Sequence, residues 1–228
     1  FIQGGEGNDT IDGGDGNDYL LGSGIASTTY GVHTHVKGGK AKLSGGNGED
    51  NLSASDYSNL ELHGGEGNDE LYGAHSKDSF LYGDNGDDTL TANLASWKTG
   101  RTDDDTKLPV SAYLDGGDGN DNLNVWDGAH YQNDGSSTAT VIGGLGNDTV
   151  IVKGSEWDGS GLRYVSVDGG EGEDTIEVSG SFSTSITTGK GRDTIILSSL
   201  QYKKLASETL QELQPDGSTI YVSAEPFV

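Results

Sequence analysis

Nine aspartates share one local setting: Asp9, Asp18, Asp50, Asp69, Asp88, Asp121, Asp148, Asp174 and Asp193 each stand sixth in a short glycine-rich stretch. The stretch is fullest at Gly64-Gly65-Glu66-Gly67-Asn68-Asp69-Glu70-Leu71-Tyr72, and full copies also begin at Gly4, Gly13, Gly45, Gly116, Gly143 and Gly169. Glycines at its first, second and fourth places admit a tight turn with positive φ that a side chain would obstruct. Such a turn offers freed backbone carbonyls and a single carboxylate, so its donors are all oxygen. Calcium takes about six to eight oxygens and accepts mixed carbonyl and carboxylate sets. Zinc and copper prefer nitrogen and sulfur, and magnesium keeps its waters in a stricter octahedron. One turn holds too few donors for calcium, whereas two stacked turns hold enough.

The elements that would stack the turns are legible on either side of them. Two places after each aspartate comes an apolar residue: Ile11, Leu20, Leu52, Leu71, Leu90, Leu123, Val150, Ile176 or Ile195. Two places before each stretch comes another: Ile2, Ile11, Leu43, Leu62, Leu81, Leu114, Val141, Val167 or Ile186. Each copy therefore reads strand, glycine turn, strand, with inward residues on both sides of the turn and polar residues facing out. A disordered Gly/Asp linker is the alternative that the low apolar content allows. Such a linker has no reason to keep an apolar residue at a fixed distance from every aspartate.

Composition bounds the rest. The chain has 228 residues with 31% hydrophobic, too little apolar side chain for a compact core of ordinary kind. Acidic residues outnumber basic ones 37 to 13, a formal net charge of −24, so self-repulsion opposes folding until something positive and oxygen-seeking binds. The same imbalance argues against nucleic acid and anionic membranes as main partners. Cysteine is absent, which removes disulfides as staples and leaves that role open to metal. No signal peptide, membrane-spanning run or initiator methionine is visible, and Phe1 lies just before a repeat; the sequence reads as a piece of a larger protein.

In its glycine and aspartate spacing the chain resembles the RTX family, secreted bacterial proteins whose nonapeptide repeats wind into a calcium-binding parallel β-roll. The resemblance covers residues 2 to about 197. It implies an all-β, right-handed parallel β-roll over residues 1–197, with irregular insertions and a C-terminal capping segment over 198–228. It also implies calcium ions between neighbouring coils, held by carbonyls at positions two and four and by the sixth-position aspartate. Carried over by position, the ligands are Gly5, Gly7 and Asp9; Gly14, Gly16 and Asp18; Gly46, Gly48 and Asp50; and Gly65, Gly67 and Asp69. They continue with Asp84, Gly86 and Asp88; Gly117, Gly119 and Asp121; Gly144, Gly146 and Asp148; and Gly170, Gly172 and Asp174. Export through a type I system, and a secreted or cell-surface location, follow from the same resemblance.

Two copies are worn. At Gly83 the second glycine is replaced by Asp84, which either adds a ligand or distorts the turn. At Thr188 the first glycine is lost and Lys190 and Arg192 take variable places. That last turn is expected to be weak or empty, its cations standing against Glu171, Glu173 and Asp174. Two nonapeptides make one coil of a β-roll, so a 19-residue step returns to the same side. Copies from Gly13 onward should form one column, on the order of seven sites if each adjacent pair holds one ion. The 32- and 33-residue steps are where the column would break.

The opposite side should hold the insertions Ala26 to Lys42, Lys98 to Val110, Trp126 to Thr138 and Lys153 to Leu162, whose composition suits loops. Residues Ser198 to Gln214 fit a short helix ended by Pro215, and Thr219 to Ser223 a last strand, together a cap or part of a secretion signal. His33, His35, His63, His75 and His130 read as loop histidines rather than a transition-metal set. Trp97, Trp126 and Trp157 lie at or beside insertions, as binding surface or loop packing. Asp103-Asp104-Asp105 reads as a solvated tip. Tyr131, Lys153, Arg163 and Tyr164 are the groups a polysaccharide lyase or epimerase would use, but they form no motif, and no catalysis is expected. The function expected is a calcium-driven folding and secretion module of a toxin, adhesin or exoenzyme; the alternative is a module that binds a host-cell receptor or glycan through the insertions.

Overall fold

The computed structural model describes residues 1–5, 7–23, 25–29, 32–35, 39–94, 110–127, 137–154, 162–198 and 219–223. Among these, all regular structure is β: twenty strands, numbered in chain order, and no helix. Ten form one parallel sheet, ordered β1 (Ile2–Gln3), β3 (Tyr19–Ser23), β7 (Asn51–Ser55), β9 (Glu70–Ala74), β11 (Thr89–Asn93), β13 (Asn122–Trp126), β15 (Thr149–Lys153), β17 (Thr175–Ser179), β19 (Thr194–Ser198) and β20 (Thr219–Ser223). Eight form the second parallel sheet, ordered β18 (Ser181–Thr187), β16 (Leu162–Glu171), β14 (Thr138–Leu145), β12 (Ser111–Asp118), β10 (Asp78–Asn85), β8 (Asn59–Glu66), β6 (Lys40–Asn47) and β2 (Asp9–Asp15). From β2 to β19 the chain alternates between the sheets at each turn, apart from the excursion of β4 (Ile25–Thr29) and β5 (Val32–His35), and the result is a parallel β-roll.

Its interior is thin and made by the two apolar positions that flank each turn. Leu20, Leu43, Leu52, Leu62, Leu71, Leu81, Leu90, Leu114, Leu123, Val141, Val150 and Ile176 are fully buried, and they lie in register from coil to coil. Period-two alternation carries a second inward row, Ala41, Leu60, Ala112, Ala139 and Val165 on one sheet and Ala54, Ala92, Val125, Val152 and Val178 on the other. Small residues dominate that row where the sheets approach the opposite turns. Ile2 departs from expectation: with a single neighbouring strand at the sheet edge it stays 39% exposed.

Every insertion leaves the roll on the edge opposite the stacked turns from Gly13 to Thr188, between the end of one strand and the start of the next. The two long steps do not break the column. Gly14 pairs with Gly46 across 32 residues and Asp84 with Gly117 across 33, so the strands on either side of the extra chain stay in register. The first insertion is not wholly loop: β4 and β5 pair antiparallel within it, and Lys40 to Lys42 already belong to β6. The expected last strand is present as β20, parallel to β19 with Thr219 opposite Thr194. The expected helix begins at Ser198, here the last residue of β19; residues 199–218 lie outside the described part.

Candidate calcium column

The glycine turns from Gly13 to Thr188 stack along one edge of the roll. Their aspartates are tied by a continuous ladder, in which the backbone amide of each donates to the carboxylate of the aspartate one coil further on. Asp18 N donates to Asp50 Oδ1 at 2.6 Å, Asp50 N to Asp69 Oδ1 at 2.7 Å, and Asp69 N to Asp88 Oδ1 at 2.7 Å. The series runs on through Asp121, Asp148 and Asp174 to Asp193 Oδ1, which accepts from Asp174 N at 3.0 Å. One carboxylate oxygen of each aspartate from Asp50 to Asp193 is thus fixed and satisfied.

The other oxygen is not. Among the described residues, Asp18, Asp50, Asp69, Asp88, Asp121, Asp148 and Asp174 each keep a buried Oδ2 without a hydrogen-bond partner. A buried carboxylate oxygen left so is costly, and seven in a row along one edge demand a common cause. Each Oδ2 lies against the Cα of the first glycine of its own turn, and the first-position carbonyl of the next coil comes to the same place. A methyl group on Gly13 would sit 2.9 Å from Asp18 Oδ2 and 2.5 Å from the Gly45 carbonyl oxygen; on Gly169, 2.6 Å from Asp174 Oδ2 and 2.5 Å from the Thr188 carbonyl oxygen. Gly45, Gly64, Gly83, Gly116 and Gly143 repeat the arrangement. The sheet pairing skips these first glycines, passing from Ser44↔His63 directly to Gly46↔Gly65.

Oxygens of two kinds therefore converge between coils, in spaces that a Cβ would fill. No nitrogen or sulfur donor is among the atoms closest to these spaces, and the donor set suits a hard cation of calcium's size. Carbonyls at positions two and four face the matching glycine of the next coil, as with Gly46 over Gly65 and Gly48 over Gly67. The first-position carbonyls of Gly45, Gly64, Gly83, Gly116, Gly143, Gly169 and Thr188 were not in the sequence-derived ligand set. Their signal was the glycine kept at position one, whose chemical reason is the space beside its Cα.

Electrostatics agree with an unmet cation. Burial pushes the carboxyls of Asp69, Asp121, Asp148 and Asp174 up to about 6 and that of Asp88 to about 7, with ionised neighbours in the column adding to the rise. Asp50 is raised for the same first reason. A cation between coils reverses both effects by stabilising the ionised form.

The worn turns resolve individually. Asp84 adopts φ 73°, the left-handed conformation of the glycine it replaces, so the turn at Gly83 keeps its shape. Its carboxylate points away from the column to the outer face, 3.5 Å from His63 Nδ1. At the last turn Lys190 pairs with Glu171, and Arg192 Nη2 with Glu173 Oε1 at 2.8 Å. Asp174 is not among their partners, and its Oδ2 stays open opposite the Thr188 carbonyl. The turn at Gly4 stands apart on the opposite edge: Asp9 Oδ2 accepts a 2.8 Å hydrogen bond from Tyr57 Oη.

The remaining candidates do not converge. His63 sits on β8 rather than in a loop, 2.8 Å from Glu61 Oε1 and stacked on Tyr82. His33 and His35 lie on β5; His130, Trp97, Trp157, Asp103 to Asp105 and Tyr131 fall outside the described residues. Trp126 ends β13 and is 53% exposed. Lys153 belongs to one sheet, where it faces Glu177, while Arg163 and Tyr164 belong to the other.

Four stretches match the family model of the RTX calcium-binding nonapeptide repeat: residues 1–24, 44–79, 63–94 and 135–151. The turns at Gly116 and Gly169 lie outside these matches but share their register and cradle. No curated protein and no solved structure matches the chain.

Proposed function

We propose that this chain, which carries RTX calcium-binding nonapeptide repeats, is a calcium-driven folding module of a larger exported protein, a toxin, adhesin or exoenzyme. The observation that carries the reading is the row of seven buried, unpartnered aspartate oxygens along one edge of the roll. Without a cation these ionised groups repel one another inside a body with little apolar surface to hold it. Bound calcium supplies positive charge between coils and ties each turn to the next, so binding free energy becomes folding free energy.

The chain's own part follows from its residues. The Asp18 to Asp174 carboxylates and the first-position carbonyls hold the ions, with carbonyls at positions two and four available around them. The backbone-to-Oδ1 ladder sets the coil spacing. The glycines keep the spaces open. At the low calcium of a bacterial interior such a chain stays unfolded, which suits passage through a narrow exporter; outside, calcium folds it.

A second reading is supported by one feature of the topology: all insertions emerge on the edge opposite the column, where a rigid roll presents them together. A host-cell receptor or a glycan is the partner this suits, and the two readings are compatible. Neither reading includes catalysis; Lys153 lies on one sheet and Arg163 and Tyr164 on the other. The test is a far-ultraviolet circular dichroism titration of calcium-stripped protein with calcium and, separately, magnesium. Gain of β structure with calcium alone is expected. A chain already fully β-rich without metal refutes the folding switch.

A further inference from the structure

The first repeat matches the nonapeptide pattern as well as any other, yet its surroundings differ from those of the column. Asp9 Oδ2 is satisfied by Tyr57 Oη, a phenol from 48 residues further along that is only 2% exposed. Among the described residues, no group does this for the matching oxygen of Asp18, Asp50, Asp69, Asp88, Asp121, Asp148 or Asp174. Among the described residues, no carbonyl opposes Gly4 as closely as in the column. A methyl on Gly4 would meet first three atoms of Asp9 itself, whereas on Gly13 it would meet the Gly45 carbonyl oxygen first. Where the next coil comes over this turn, Gly39 packs its Cα on the Gly7 carbonyl and the Lys40 amide donates to Asn8 Oδ1 at 2.8 Å.

Space for the phenol is built in. A methyl on Gly22 would lie 3.4 Å from Tyr57 Oη, and one on Gly39 3.4 Å from the Tyr57 ring. The Tyr57 amide is anchored in turn by Ser76 Oγ at 3.1 Å. Burial, then the bond to Asp9, raises the phenol above its ordinary range, so its proton stays in place as the donor.

We infer that the Gly4 turn is a nonapeptide repeat that takes no calcium, because the Tyr57 hydroxyl occupies the place of the ion and pins the first coil to the third. The inference rests on the calcium reading for the other turns. It assigns Tyr57 as a permanent, metal-independent lock at this end of the roll, and it removes Gly5, Gly7 and Asp9 from the calcium ligands.

The test compares Asp9→Asn, Asp148→Asn and Tyr57→Phe with the unsubstituted chain, by calcium equivalents bound at equilibrium dialysis and by melting in saturating calcium. Asp9→Asn keeps an oxygen for the phenol and is expected to bind as many ions as the unsubstituted chain, while Asp148→Asn binds fewer. Tyr57→Phe leaves a half-buried carboxylate oxygen without its donor and is expected to lower the folding equilibrium constant by about tenfold, with no loss of bound calcium. Loss of one equivalent by Asp9→Asn overturns the inference, as does a Tyr57→Phe chain that melts like its parent. If no variant and not the parent bound calcium, the reading above would fail, while the Tyr57→Phe melt would still decide the lock.

Discussion

Gly116→Ala separates the cradle from ordinary packing. Gly116 has no positive φ, so alanine brings no backbone strain. Its methyl would instead lie 2.5 Å from the Gly143 carbonyl oxygen and overlap Asp121 Oδ2. An ordinary carbon–oxygen contact is wider by about 1 Å, and the carbonyl is backbone held in register on both sides, so the side chain of Asp121 must swing away. Overpacking of this kind costs about 1–3 kcal/mol. Loss of one ion adds about 2.7 kcal/mol when free calcium is a hundred times the dissociation constant. The total, about 4–6 kcal/mol, is a large part of the stability of a domain this size. The diagnostic quantity is the dependence on calcium, read from urea unfolding midpoints over a series of free calcium concentrations. Stability rises with the logarithm of calcium in proportion to the ions coupled to folding. Gly116→Ala should lower that slope by one ion, whereas Gly73→Ala, whose methyl meets Leu60 and Leu81 in the core at 3.0 and 3.1 Å, should lower stability at unchanged slope. Equal slopes in the two variants would refute the assignment of this space to an ion.

Two further outcomes are expected. Asp69, Asp121, Asp148 and Asp174 have carboxyls raised to about 6, and Asp88 to about 7, above their unfolded value of 3.8. In calcium-stripped protein, protonation near pH 4 should therefore restore part of the β structure, lost again as pH rises through 6 to 7, while calcium affinity rises over the same range as protons cease to compete; circular dichroism of metal-free protein in which β content increases from pH 4 to 7 would contradict this. Leu123→Ala removes a fully buried side chain from mid-roll and should cost about 2–5 kcal/mol in urea unfolding, again without changing the calcium slope.

Much of the fold was legible because its rules are local. A glycine turn, an aspartate and an apolar residue on either side repeat within nine residues, and strand alternation then dictates which side chains face inward. The 19-residue step likewise predicts a single column, and that column is present. Asp84 could not be judged from type alone: aspartate tolerates the left-handed conformation, and whether its carboxylate enters the cradle depends on His63 across the sheet. The long steps of 32 and 33 residues were equally ambiguous, since only the pairing of β2 with β6 and of β10 with β12 decides that the column continues across them.

The sequence by itself determined the chemistry of the edge: oxygen donors, at fixed spacing, on an acidic chain that needs a cation. Tertiary structure alone decided how those donors divide their work. Oδ1 is spent on the amide of the preceding coil and Oδ2 is left open, a distinction between two atoms of one side chain that depends on the coil above. It also decided that nine similar repeats are not equivalent. Asp9 meets the Tyr57 phenol and Asp18 the Gly45 carbonyl because neighbours from later coils fill the space beside each carboxylate, and no local pattern records what the next coil brings.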